Sequence, residues 1–126
     1  MKLLLDTHIL LWWLANDPAL KPRARQLIAD PDNAIFLSSV TLWEIWLKHS
    51  IGKLTLAADF EARLAKEPFE SLPLAATHTK TAASLPWIHR DPFDRMLVAQ
   101  AIVANLKLLT VDATIASYGN MTLLVN

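Results

Sequence analysis

The chain contains no cysteine, which excludes a disulfide framework and any thiolate-based metal site. Glycine occurs only twice among 126 residues, and there is no low-complexity tract, repeat or long linker. No sign of charge dominates: twelve basic residues balance twelve acidic ones, so a general polyanion-binding face is absent and any nucleic-acid contact must come from local clusters. No long hydrophobic run is present either. The apolar N-terminal stretch MKLLLDTHILLWWLANDP is broken by Asp6 and His8 and lacks a small-residue cleavage site. The expectation from these absences is a soluble, intracellular, cytoplasmic protein with no membrane span. What is abundant is apolar surface. The hydrophobic fraction is 53%, there are five tryptophans, and the length suits one domain spanning residues 1–126. The aromatic excess fits either a Trp-rich core or a buried partner surface.

Strand-like and helix-like segments alternate. KLLL (2–5) reads as a buried strand, ended by Asp6-Thr7, which caps a helix over HILLWWLAN. A second helix is predicted over 18–29 and a second strand at 34–38. Ser38 or Ser39 caps a third helix that Gly52 stops. Residues 57–66 read as helix, 69–74 as a third strand, 76–85 and 92–104 as helices and 106–110 as a fourth strand. A short helix at 113–118 and a last strand at 121–125 complete the chain. The strands are continuous apolar runs, so both faces of the sheet should be covered. The expected fold is a three-layer α/β/α sandwich around a central parallel sheet.

Four carboxylates stand out in this frame. Asp6 follows the first strand directly, and Asp112 follows the fourth by two residues, where open parallel sheets bind ligands. Helix capping alone also explains either one. Glu44 lies within the apolar stripe Val40, Trp43, Leu47, Ile51, where an isolated charge costs several kcal/mol unless paired. The alternative there is a buried salt bridge. In HRDPFDRMLVAQAIVAN (89–105), Asp91 suits the N-cap and Pro92 the first helical position, which puts Asp94 third. Asp94 aligns with Leu97, Val98 and Ala101, the apolar side, as a pure capping acid need not. Two such carboxylates about 5 Å apart repel by roughly 3 kcal/mol at an effective dielectric near 20, a penalty a divalent cation removes. Hard oxygen ligands without thiolate point to Mg²⁺ or Mn²⁺ rather than zinc.

The segments LLLDTHILLWW (3–13), SSVTLWEIWLKHSIGKL (38–54), HRDPFDRMLVAQA (89–101) and LLTVDATIASYG (108–119) resemble, in order, those of PIN-domain ribonucleases, and more narrowly the VapC-type toxins of type II toxin–antitoxin pairs. The resemblance implies that Asp6, Glu44, Asp94 and Asp112 form an acidic metal site, with Thr110 a supporting hydroxyl. It implies a Mg²⁺- or Mn²⁺-dependent endoribonuclease acting on tRNA or rRNA, a homodimer, and a cognate antitoxin that silences it. Residues 55–86 carry little of this likeness.

RNA hydrolysis needs an activated water and a neutralised scissile phosphate, both of which one or two carboxylate-bound metals supply. His8, His49, His78 and His89 share no metal-ligand spacing and read as surface or supporting groups, with His89 and Arg90 placed to touch RNA. Lys48, Lys53, Arg90 and Arg95 are the best local candidates for phosphate contacts, the commoner explanation being charge on solvated faces, and Arg95 alternatively neutralises an acid. Trp12, Trp13 and Trp46 offer either core packing or a face for a second subunit or an antitoxin helix. The sequence lacks the acidic pair and late lysine of a receiver domain. It also lacks the Asp-x-Asp of a dehalogenase-like phosphatase, since position 8 is His. The remaining alternative is a catalytically inactive PIN-like protein-binding module.

Overall fold

The computed structural model describes residues 1–125; the expected domain runs one residue further. Twelve elements alternate as the sequence patterning predicts. They are β1 (Lys2–Leu5), α1 (Thr7–Ala15), α2 (Pro22–Ala29), β2 (Ala34–Ser38), α3 (Ser39–Ser50) and α4 (Phe60–Ala65), then β3 (Glu70–Leu72), α5 (Ala76–Ser84), α6 (Pro92–Ala104), β4 (Lys107–Thr110), α7 (Ala113–Ala116) and β5 (Thr122–Leu124). Helix α2 starts later than position 18 because Pro22 occupies its first turn. Helix α4 and strand β3 are shorter than expected, in the stretch with the weakest pattern.

All five strands are parallel, in the order β3-β2-β1-β4-β5. From β1 the chain steps outward to β2 and β3, then crosses back to β4 on the other side of β1. Right-handed crossovers put helices on opposite faces when that direction reverses, and the core divides accordingly. Leu3, Leu5, Ile35, Leu37 and Leu109 pack with Ile9 and Leu10 of α1, Ile28 of α2 and Phe60 of α4. Leu4 and Leu108, pointing the other way, pack with Ala82 of α5, Leu97, Val98 and Ala101 of α6 and Ile115 of α7. This is the expected three-layer sandwich, and period-two alternation along strands buried on both faces is what builds it. Helix α3 belongs to both layers, with Val40 in the second and Ile45 in the first. No helix among the described residues is long and apolar enough to cross a membrane.

The sheet order reverses between β1 and β4. Parallel α/β sheets open their ligand crevice at the carboxyl ends of two such strands. The Asp6 amide bonds the Leu109 carbonyl at 3.1 Å there, so the β1 and β4 ends are tied together at the point where Asp6 and Asp112 emerge.

Candidate metal centre

Each acid is fixed by local chemistry before it joins a site. Asp6 is the N-cap of α1: its Oδ1 accepts the Ile9 amide at 3.0 Å, and its Oδ2 accepts the Thr110 hydroxyl at 2.6 Å. Asp112 is the N-cap of α7, accepting the Thr114 amide at 2.8 Å, and its own amide bonds Thr110 Oγ1 at 3.0 Å. One threonine hydroxyl therefore connects both strand-end acids. Asp91 caps α6 through the Phe93 and Asp94 amides, and Pro92 opens the helix, which sets Asp94 third. Capping and site placement are thus compatible, because a helix that starts at a strand end aims its cap into the crevice.

Glu44 is buried, and α3 presents it differently from the expected stripe. The covered side of α3 is Val40, Thr41, Glu44 and Ile45, whereas Trp43 and Ile51 are 61% and 58% exposed. The helix is apolar nearly all round, so spacing alone did not select a face. Glu44 accepts the Thr7 hydroxyl at 2.6 Å and pairs at 2.5 Å with Lys48, whose side chain is 41% exposed, so its ion pair opens to solvent rather than being fully buried. That contact raises the Lys48 pKa, and the carboxylates of Asp91 and Asp94 push it the same way.

Asp94 and Asp112 converge with a residue that the sequence left among the surface or supporting groups. His89 Nε2 lies 2.9 Å from Asp94 Oδ2 and 3.6 Å from Asp112 Oδ2. One ligand atom from each of His89, Asp94 and Asp112 falls within 4.8 Å of the others, a cluster that could hold a metal ion. Nε2 is buried and makes no aligned hydrogen bond despite the short approach to Asp94. Nδ1 faces the Asp91 amide at 3.3 Å as acceptor, which puts the neutral ring's proton on Nε2, between the two carboxylates. The signal for His89 in the sequence was its place two residues before the Asp91 cap, but no ligand spacing marked it.

Arg95 does not serve the acids. It is buried and donates to the carbonyls of Ala82, Leu85, Pro86 and His89 and to the Tyr118 hydroxyl, at 2.7 to 3.3 Å. Tyr118 in turn accepts the His89 amide at 3.0 Å and donates to the Pro86 carbonyl at 2.8 Å. Arg95 therefore clamps the loop that carries His89, replacing the phosphate-contact and acid-neutralising roles expected of it.

The electrostatics register the crowding. Burial, then the charge of Asp91, pushes the Asp94 pKa up to about 7; His89 opposes the shift, and Glu44 and Asp6 add to it. Burial also raises the Asp6 pKa, against the hydrogen bonds from Thr110 and Ile9 and with the help of Asp112. Asp6, Glu44, Asp94 and Asp112 thus feel one another across the crevice. Asp6 and Glu44 stand outside the tight His89–Asp94–Asp112 cluster and keep their own hydrogen-bond partners. A hard dication fits this set: it would relieve the carboxylate repulsion, and no soft ligand is present.

The sequence pattern of the PIN domain matches residues 3–120. The chain belongs to the PIN-domain family. A curated relative, Ribonuclease VapC22 of Mycobacterium tuberculosis (strain ATCC 25618 / H37Rv), is 29% identical over 119 residues, covering 91% of this chain and 90% of its own. Among solved structures, VapBC2 from Rickettsia felis bound to a DNA fragment from its promoter superposes with a TM-score of 0.72 at 20% identity, covering 100% of this PIN domain and 98% of that chain. VapBC-1 from nontypeable Haemophilus influenzae gives 0.65 at 20% identity, covering 94% and 92%. At these identities the structures establish the fold, and they are the VapC-type relatives that the four sequence segments indicated.

Proposed function

We propose that this PIN domain is a Mg²⁺- or Mn²⁺-dependent endoribonuclease, the toxin of a toxin–antitoxin pair, acting on tRNA or rRNA and silenced by a cognate antitoxin. The observation that carries the reading is the meeting of Asp94, Asp112 and His89 beside the buried Asp6 and Glu44, at the point where the sheet order reverses. The curated relative named as a ribonuclease and the toxin–antitoxin complexes among the structural relatives support it.

Asp6, Glu44, Asp94 and Asp112 would hold the ion, directly or through waters. Bound there, a divalent cation supplies a water of lowered pKa and positive charge against the scissile phosphate. The chain's own groups prepare the place. Thr110 and the Ile9 amide hold the Asp6 carboxylate, while Thr7 and Lys48 hold that of Glu44. His89 positions the facing oxygens of Asp94 and Asp112, and Lys48 and Arg90 meet phosphate oxygens of the substrate. Attack of the water oxygen on phosphorus breaks the P–O3′ bond, leaving a 3′-hydroxyl and a 5′-phosphate. The chain acts as a homodimer, and the exposed face of α3 bearing Trp43 and Ile51 is a fitting surface for that contact.

The test is incubation of the purified chain, free of any antitoxin, with total tRNA and total rRNA. Cleavage in Mg²⁺ or Mn²⁺ is expected to leave 5′-phosphate ends, to vanish with EDTA and to fall at least about 100-fold in Asp94→Asn. Failure to cut either RNA, together with no binding of Mn²⁺, would replace the nuclease with the inactive protein-binding module.

A further inference from the structure

Trp87 is the most exposed large apolar residue of the molecule's described part, at 72%, and it lies in the clamped loop between α5 and α6. An indole normally gains from burial of roughly 150–250 Å²; this one forgoes most of that. Its position is nevertheless fixed. The Arg95 guanidinium sits 3.7 Å from the ring centroid and covers one face. Arg95 is itself buried and held by four carbonyls and the Tyr118 hydroxyl, so the cation behind the indole cannot swing away. The indole otherwise remains largely exposed to solvent. Beside it is a shallow cavity of about 180 Å³, whose lining includes Arg90, Pro92 and Met96. Two residues along the chain, His89 reaches the carboxylate cluster.

We propose that Trp87 is a stacking platform for one unpaired nucleobase of the RNA, flanking the phosphate to be cut, with Arg90 on the adjoining phosphate; the assignment rests on the ribonuclease reading above. Single-stranded nucleic acid is held by rigid aromatic faces next to cations, because every base presents a π-face. RNA-cutting chemistry at the carboxylates requires the strand to pass the loop that carries His89, and Trp87 is the flat, preorganised surface on that loop. Stacking there would favour unpaired loops over helices, since a paired base cannot leave its stack at low cost.

The deciding experiment uses the full chain carrying Asp94→Asn, in Mg²⁺, with total tRNA as the binding probe. Adding Trp87→Ala or Trp87→Leu is expected to raise the Kd at least about fivefold, while Trp87→Phe stays within about twofold. Because leucine also removes the π-face under Arg95, thermal stability is read beside the Kd: weakened RNA binding at an unchanged melting temperature supports the platform, whereas a fall in melting temperature for Trp87→Leu that Trp87→Phe lacks would overturn it in favour of a prop for Arg95. Arg90→Ala should instead lower the salt dependence by about one phosphate contact, a slope that Trp87→Ala leaves unchanged. As a second measurement, tRNA transcribed with 4-thiouridine and irradiated on the Trp87-containing parent should crosslink within residues 81–90. Equal Kd values for all three Trp87 substitutions, or crosslinks confined to other segments, would overturn the platform. Failure of the wild-type chain to cleave any RNA would sink the ribonuclease reading while these binding results still stand on their own.

Discussion

Asp94 stands third in α6, where the helix dipole favours a carboxylate. Burial and the charges of Asp91, Glu44 and Asp6 nevertheless disfavour its ionised form and raise its pKa to about 7. The sign of the consequence follows from linkage. Below the ordinary aspartate value of 3.8 the group is protonated in the folded and unfolded states alike and contributes no difference. Between there and about 7 only the folded chain keeps the proton, so metal-free stability falls as pH rises. Above about 7 both states are ionised and the loss is complete. Asp94→Asn should therefore raise the melting temperature in EDTA at pH 8 and leave it nearly unchanged at pH 4, by roughly 4 °C for each kcal/mol recovered in a chain of this size. Thermal unfolding at the two pH values checks it. A drop at pH 8 would mean that the carboxylate serves the helix N-terminus more than it suffers from its neighbours.

At the scale of elements, the loop from Leu85 to Asp91 depends on one side chain of the helix that follows it. Arg95 donates to the carbonyls of Leu85, Pro86 and His89 in the loop and to that of Ala82 in the last turn of α5, and Tyr118 from beyond α7 closes the same network. Lysine has a single ammonium point and no planar fork, so it cannot reach this set. Arg95→Lys is expected to cost about 2–4 kcal/mol in urea unfolding and to speed amide exchange across 85–91. It should also lower RNA cleavage by loosening His89. A change under about 0.5 kcal/mol would show that water satisfies those carbonyls instead. Helix α3 carries a comparable dependence at its start. Ser38 caps it by accepting the Val40 amide at 3.0 Å and donates to the buried Gln100 of α6 at 2.5 Å, which fixes where Glu44 arrives relative to Asp94.

For the whole molecule, cation binding and folding should be one linked equilibrium, because the acids come from β1, α3, α6 and α7 and meet only in the folded chain. Mn²⁺ at about 100 times its Kd would add about 2.7 kcal/mol to the stability of the wild-type protein. At one fixed Mn²⁺ concentration the added stability should be larger at pH 8 than at pH 6, since at the lower value the ion must displace the proton on Asp94, which weakens its apparent affinity. Calorimetry in MnCl₂ at both pH values reads this directly. An equal rise in Asp94→Asn would locate the ion elsewhere.

The order of strands and helices, the parallel sheet and its two covered faces, and the caps at Asp6 and Asp91 were determined by the sequence alone, which narrowed the α3 cap to Ser38 or Ser39. They depend on alternation, apolar runs and hydrogen bonds spanning two or three residues. The positions of Asp6 and Asp112 at strand ends were legible for the same reason. Three features were decided by tertiary structure. The covered side of α3 was chosen by what packs on it, since an almost wholly apolar helix has no unique inner face. His89 entered the carboxylate cluster, and Arg95 left it for a loop of carbonyls, because partners of a buried polar group are found through space. The Thr110–Asp6 hydrogen bond, spanning 104 residues, is the extreme case: local spacing carries no record of a contact that only the closed sheet brings within 2.6 Å.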